Sequence, residues 1–286
     1  MRILVLGASG MAGHVMAETL ERGGHDITRV AGTRKATPGT VILDMTDPTA
    51  LGVLLLRAFD VVINCVGVLL PSANRDRART AYINSYLPHR LERELEGTPT
   101  RLVHLSTDCV FTGDRGGYVE ADHSDATHFY GRSKALGDVV NGKDLTIRAS
   151  IIGPELGPDG SGLFHWLAGQ DGTVKGFTRA LWNGVTTIEL ARAINAALNQ
   201  GLTGLYHLTP PETITKADLL TLIGGVFGFP ATVEPVDGEA NDKTLIDTRR
   251  ELAYRPPGYR EMVEDMRAWV EDHPGWYPHY VERMTP

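Results

Sequence analysis

Cysteine is nearly absent from this 286-residue chain, which contains only Cys65 and Cys109. Both lie within apolar runs, where an unpaired cysteine usually behaves as a small hydrophobic residue. A disulfide framework or a zinc site needs more ligands at closer spacing, and the ten histidines are scattered without metal-ligand spacing. We therefore expect neither disulfide bonds nor a bound metal.

Long apolar runs are also missing, since no stretch approaches the roughly 20 residues of a membrane span. The first apolar run, residues 2–6, is too short for a signal peptide and is followed directly by glycine. Acidic residues outnumber basic ones by 35 to 28, which gives a net charge of −7. This balance opposes a general affinity for nucleic acid or for anionic membranes. The composition predicts a cytoplasmic protein that binds neither.

Short apolar segments alternate with segments of helical spacing through the first 150 residues. Predicted strands cover 2–6, 27–31, 41–43, 60–67, 101–105 and 145–149, and predicted helices cover 13–22, 49–58, 78–96 and 130–141. This alternation is typical of an α/β Rossmann-type, doubly wound parallel sheet. After a Gly- and Pro-rich crossing we expect helices near 188–199, 216–227 and 259–271, a strand at 205–208, and a polar stretch over 231–247. The chain is thus predicted to comprise a dinucleotide-binding domain over 1–152 and a smaller substrate lobe over 153–286 that shares elements with it.

The loop after the first strand reads Gly-Ala-Ser-Gly-Met-Ala-Gly over residues 7–13 and opens a helix. In such a loop the first glycine permits the turn, the second admits a pyrophosphate, and the third allows close packing of helix on sheet. The helix N-terminus offers free N–H groups to the phosphates. The predicted cofactor contacts are Gly7, Ser9, Gly10, Met11 and Gly13.

The end of the second strand lacks the acidic residue that usually holds the ribose of NAD. Arg34 stands there instead, a residue suited to a 2′-phosphate, which favours NADPH and leaves NADH open. Asp44 follows the third strand and is placed to hydrogen-bond the adenine. Cys65, Val66 and Gly67 end the fourth strand, where ligands of a parallel sheet collect.

Tyr130 and Lys134 are spaced i and i+4, so both side chains face the same way from one helix. A lysine ammonium beside a phenol is expected to lower the tyrosine pKa, and the tyrosine can then exchange a proton with a carbonyl as hydride arrives. Ser106, Thr107 and Asp108 end the fifth strand, where Ser106 is expected to contact the cofactor and Asp108 the substrate, and where the Thr107 hydroxyl is placed to orient the substrate oxygen.

With these motifs in this order, the chain resembles the extended short-chain dehydrogenase/reductases and, within them, the dTDP-4-dehydrorhamnose reductases. The resemblance rests on residues 7–13, 106–111 and 130–134, and on the segment 82–88, which carries Asn84. It implies a catalytic set of Thr107, Tyr130 and Lys134, with Asn84 near the substrate as a structural or proton-relay residue. The implied reaction is the NADPH-dependent reduction of the 4-keto group of a nucleotide-linked deoxysugar.

Alternatives remain open within this resemblance. Dehydratases of the superfamily tend to carry Thr-Asp-Glu, and Cys109 stands in place of that acid here, which disfavours dehydration. A nucleotide-sugar epimerase with bound NAD and a non-catalytic dinucleotide-binding regulatory subunit stay open, as does a homodimer. Trp182 is expected near the nucleotide-sugar, although a strand that connects the lobes fits it equally well. Arg249, Arg250 and Arg255 are diphosphate candidates, with a solvated charged face as the simpler interpretation.

Overall fold

The computed structural model describes residues 1–32, 37, 39–70 and 72–284. The elements up to residue 152 are β1 (Arg2–Leu6), α1 (Met11–Arg22), β2 (Asp26–Ala31), β3 (Val41–Ile42), α2 (Pro48–Leu55), β4 (Val61–Asn64), α3 (Ser72–Arg75), α4 (Arg77–Ala81), a π-helical segment (Tyr82–Tyr86), α5 (Leu87–Glu94), β5 (Arg101–Ser106), a 3-10 turn (Asp108–Val110), α6 (Phe129–Ala135), β6 (Leu145–Arg148) and β7 (Ile151–Ile152). The later elements are α7 (Leu163–Ala168), β8 (Thr173–Phe177), β9 (Ala180–Trp182), β10 (Val185–Thr186), α8 (Thr187–Gln200), β11 (Gly204–His207), β12 (Ile214–Thr215), α9 (Lys216–Phe227), β13 (Thr232–Val236), β14 (Asn241–Asp242), α10 (Tyr259–Asp272) and α11 (Pro278–Val281).

Seven parallel strands form the central sheet in the order β11-β6-β5-β4-β1-β2-β3. Successive residues of β1 serve opposite faces, because side chains alternate along a strand. Ile3 and Val5 pack into one hydrophobic cluster with α1 and α8, whereas Leu4 and Leu6 pack into another with α2 and α5. The predicted Rossmann-type fold class is confirmed.

The chain returns to the central sheet after residue 152. The strand β11 pairs with β6 as the seventh strand, and α8 packs against α1. The remaining strands form small sheets of their own, β12-β9-β14, β13-β8 and β10-β7. The predicted polar stretch over 231–247 therefore contains two strands, β13 and β14, which the composition did not indicate. The division at residue 152 stays a prediction.

Two predicted helices differ from the structure for identifiable reasons. The predicted helix 78–96 is interrupted by the π-helical segment, in which Leu87 N–H donates to Tyr82 O. Pro88 has no N–H to offer the carbonyl of Asn84, so regular α-helical bonding cannot continue through this turn. The predicted helix 130–141 ends at Ala135 instead. Its periodic pattern runs on, but Gly137 packs against the Asn84 carbonyl, where a Cβ would lie 1.9 Å from the oxygen.

The C-terminal aromatic residues pack into the protein itself. Trp269, Tyr277 and Tyr280 all belong to the larger hydrophobic cluster. Among the helices that the structure describes, none combines the length and apolarity needed to cross a membrane.

Candidate active site

The glycine loop between β1 and α1 is shaped by backbone contacts that a side chain would disturb. Gly7 has a φ of +81°, a conformation that L-residues rarely adopt. A Cβ on Gly13 would lie 2.1 Å from Gly7 O, so only glycine lets α1 approach the loop this closely. Gly10 precedes Met11 at the start of α1 and adds no side-chain cap, which leaves the first N–H groups of the helix available to an anion.

A cavity of about 220 Å³ opens over this loop. Seven of the predicted cofactor residues line it, namely Gly7, Ser9, Gly10, Asp44, Cys65, Val66 and Gly67. Arg79 of α4 also lines the cavity and was not predicted. The pKa of the Asp44 carboxyl is lowered, mainly by the hydrogen bonds from Thr46 and to a smaller extent by the charge of Arg79. Arg34, the predicted phosphate ligand, lies outside the described residues.

The three predicted catalytic residues are buried at the carboxyl end of β5 and in α6. Thr107, Tyr130 and Lys134 are each less than one-tenth exposed. The Thr107 hydroxyl donates to Asp108 Oδ1 at 3.0 Å and accepts from Cys109 N–H at 3.1 Å. The intervening Gly131 brings α6 against the 3-10 turn, since a Cβ there would lie 2.0 Å from Cys109 O.

Burial raises the pKa of Tyr130 above its ordinary value, with Cys109 acting in the same direction and Thr107 opposing. The expected lowering of this pKa by Lys134 is therefore not found, and the pKa is raised instead. The physical reason is that desolvation disfavours the phenolate, while the lysine ammonium is engaged elsewhere. A protonated phenol at neutral pH is suited to donating a proton.

The Lys134 ammonium lies against the carboxyl end of β5. It donates to Leu105 O at 2.6 Å and lies 3.3 Å from His104 Nε2. Burial lowers its pKa to about 8, opposed by Asp138 and Cys65. Ser106, predicted to contact the cofactor, has a buried hydroxyl without a hydrogen-bond partner among the described residues.

Asn84 sits in the π-helical segment and is fully buried. Its amide accepts from Val68 N–H at 2.8 Å and donates to Val68 O and to the Ser133 hydroxyl. Ser133 in turn donates to Tyr130 O. Asn84 therefore ties the segment after β4 to α6, the helix that carries Tyr130.

A second, larger cavity of about 750 Å³ lies between the 3-10 turn after β5 and the C-terminal elements. The predicted substrate residues Asp108 and Trp182 line it, together with Cys109 and Ser150. Trp182 Nε1 donates to the Ser150 hydroxyl at 2.7 Å, which holds the indole in the cavity wall.

Three lysines that sequence reasoning missed, Lys175, Lys216 and Lys243, line this cavity together with two acidic residues, Asp108 and Glu239. The Lys216 ammonium lies 5.1 Å from the centre of the Trp182 ring, a cation–π distance. Burial lowers the pKa of Lys216 to about 8, with Asp108 opposing. The lysines come from β8, the first turn of α9 and the residue after β14, so no local pattern could have joined them.

The arginines proposed for a diphosphate lie elsewhere. Arg249 binds Thr203 O, Leu205 O and Glu251, and Arg255 binds the carbonyls of residues 250, 252 and 254. Neither lines the larger cavity. Within the described ranges, no group of three or more His, Cys, Asp or Glu side chains is arranged to hold a metal ion.

A dinucleotide suits the smaller cavity on two structural grounds. The loop has no room for side chains at Gly7 and Gly13, and the start of α1 is free to meet phosphates.

The RmlD substrate binding domain family matches residues 1–247 of this chain. A probable low-salt glycan biosynthesis reductase, Agl14, of Haloferax volcanii is 29% identical over 248 residues, which cover 82% of each protein. A solved structure of a hypothetical dTDP-4-dehydrorhamnose reductase from Sulfolobus tokodaii superposes with a TM-score of 0.77 at 26% identity, covering 91% of this chain and 98% of the other.

A further structure, of dTDP-4-dehydrorhamnose reductase from Bacillus anthracis in complex with NADP, has a TM-score of 0.79 at 20% identity. It covers 94% of this chain and 99% of the other, and at that identity it shows a shared fold. The resemblance drawn from the motifs is confirmed by the family match. The chain thus belongs to the RmlD substrate binding domain family, a family of oxidoreductases within the extended short-chain dehydrogenase/reductases.

Proposed function

We propose that this protein reduces the 4-keto group of a nucleotide-linked deoxysugar with NADPH. The observation that carries the proposal is the position of Thr107, Tyr130 and Lys134. All three are buried; Cys65, which lines the smaller cavity, acts electrostatically on Lys134, and Asp108 and Cys109, which line the larger cavity, act on Tyr130. A carbonyl group in the larger cavity would then lie between a bound dinucleotide and a proton donor.

When bound, the dinucleotide supplies hydride to the carbonyl carbon. Tyr130 donates its proton to the carbonyl oxygen, because burial keeps the phenol protonated at neutral pH. Thr107 offers its hydroxyl to orient that oxygen. Lys134, one helical turn from Tyr130, is charged at neutral pH because its pKa is about 8, and this charge offsets part of the cost of the buried phenolate that remains.

The charge of the larger cavity supports an anionic substrate. Three lysines and two acidic residues, Asp108 and Glu239, line it in a chain whose net charge is −7, so the lining carries a small local excess of positive charge. A diphosphate is a matching ligand for clustered lysines. Cys109 has a pKa raised to about 12, chiefly by burial, so it does not supply the acid that dehydration needs.

The preference for NADPH rests on Arg34 after the second strand and on the NADP of the Bacillus anthracis reductase. The test is to incubate the protein with a panel of nucleotide-4-keto-sugars and either NADPH or NADH, following the near-ultraviolet absorbance of the reduced nicotinamide. We expect oxidation with one of the sugars, faster with NADPH.

Tyr130→Phe should abolish this turnover while NADPH binding persists, and Tyr86→Phe, at an exposed tyrosine, serves as the matched control. Tight NADPH binding without oxidation across the whole panel would contradict the proposal and would favour a non-catalytic dinucleotide-binding role.

A further inference from the structure

Two fully buried polar side chains lie behind Lys134 in the central sheet. Asn64 ends β4, and His104 is its register partner in β5. The imidazole bridges the two groups beside it: Nδ1 lies 3.2 Å from Asn64 Nδ2, and Nε2 lies 3.3 Å from Lys134 Nζ. Asn64, His104 and Lys134 thus form one line of contacts.

The orientation of the Asn64 amide is decided by the backbone. Its Oδ1 accepts from Val66 N–H at 3.1 Å, so its NH₂ group must face His104 Nδ1 and donate to it. Burial lowers the pKa of His104 well below its ordinary value, with Lys134 and His89 acting in the same direction, so the imidazole is neutral. A neutral imidazole that accepts at Nδ1 carries its proton on Nε2.

This tautomer places the Nε2–H of His104 opposite the Lys134 nitrogen. A neutral lysine amine can accept a hydrogen bond from this Nε2–H. An ammonium has no lone pair to accept it, so two donors would face each other. If His104 shifts its proton to Nδ1, the ammonium gains an acceptor, but the imidazole then meets the NH₂ group of Asn64. The arrangement therefore stabilises the uncharged form of Lys134 relative to the ammonium, although the ammonium still predominates at neutral pH because the pKa is about 8.

We propose that Asn64 and His104 are positioning residues, through which the tautomer of His104 and the proton of Lys134 are coupled. The inference rests on the proposed function, in which Lys134 assists Tyr130. At its other end the line reaches Val66, which lines the dinucleotide cavity.

The electrostatics agree with this assignment. The pKa of Lys134 falls to about 8 because burial outweighs the opposing charges of Asp138 and Cys65. If the reaction needs a charged Lys134, the reduction rate should fall as pH rises through this value. The pH at which this alkaline limb of the rate profile lies therefore reports on the contacts among Asn64, His104 and Lys134.

The test replaces the amide donor by an acceptor. In Asn64→Asp a carboxylate oxygen accepts from His104 Nδ1–H, which frees Nε2 to accept from the Lys134 ammonium. We expect the alkaline limb of the reduction rate to move up by about one pH unit. Side-chain ¹⁵N NMR of the ligand-free protein should show His104 changing from the Nε2–H to the Nδ1–H tautomer.

His104→Gln provides a second variant without a buried negative charge. The glutamine amide oxygen can accept a hydrogen bond from the Lys134 ammonium without any shift of a proton, so the alkaline limb of the reduction rate should again move to higher pH. His89→Gln is the matched control, because His89 acts on His104 only through its charge while bonding to Glu92 and Leu136 O. It should leave both the limb and the tautomer unchanged.

An unchanged His104 tautomer in Asn64→Asp, or a limb that stays in place in both Asn64→Asp and His104→Gln, would overturn the inference. Because the NMR measurement uses no substrate, it decides the tautomer even if no sugar of the panel is reduced. Failure of the proposed reaction and failure of the coupling are therefore distinguishable.

Discussion

His14 links the glycine loop to the C-terminal helices, and its protonation should control stability in mild acid. Its Nδ1–H donates to Gly10 O at 2.7 Å, and its Nε2 accepts from the Tyr277 hydroxyl at 2.6 Å. Tyr277 in turn accepts from Trp269 Nε1 at 2.9 Å. Burial lowers the pKa of His14 from 6.5 to about 4.

The sign follows from linkage. Below pH 6.5 the unfolded chain binds a proton at His14 that the folded protein excludes until about pH 4. The contribution to stability is therefore complete above pH 6.5 and is lost as pH falls toward 4. The difference between the unfolded and folded pKa values of His14 corresponds to roughly 3 kcal/mol of unfolding free energy, of which about 2 kcal/mol is lost by pH 5.

The perturbation is His14→Gln, which keeps a polar side chain but does not titrate. Urea unfolding at pH 7 and pH 5 gives the loss of unfolding free energy for each protein, and the difference between the two proteins isolates His14. We expect the wild type to lose about 2 kcal/mol more than the variant. His123→Gln, at an exposed histidine, should behave like the wild type. Equal losses in wild type and His14→Gln would refute the reasoning.

Three further predictions follow from close contacts and charge. Gly13→Ala should weaken NADPH binding at least about tenfold in a fluorescence titration, because its Cβ would lie 2.1 Å from Gly7 O. Gly137→Ala should lower the free energy of unfolding by about 1–3 kcal/mol in urea, since its Cβ would lie 1.9 Å from Asn84 O. Gly142→Ala, where a Cβ meets open space, is the control for both, and a match to it would contradict either prediction. Lys216→Met should raise the KM for the sugar nucleotide about tenfold with NADPH affinity unchanged, and a normal KM would remove Lys216 from the substrate site.

The features of this protein that could be predicted from the sequence are those fixed by residues close together in the chain. The glycine loop follows a buried strand and opens a helix, and the contact that requires glycine at Gly13 is with Gly7 O, six residues earlier. Tyr130 and Lys134 share a helix face because they are one turn apart. The alternation of strands and helices predicts the parallel sheet, since crossover helices are required between parallel strands.

Long-range packing decided the rest. The pattern of residues 130–141 continues as a helix, but the approach of Gly137 to the Asn84 carbonyl is a contact across 53 positions of the chain and ends α6 early. The sequence by itself determined the glycine loop, the spacing of Tyr130 and Lys134 and the fold class, because these depend on local sterics and periodicity. Only the tertiary structure decided that Tyr130 is desolvated, that His104 faces Lys134, and that three distant lysines line one cavity, because burial and charge depend on which segments meet.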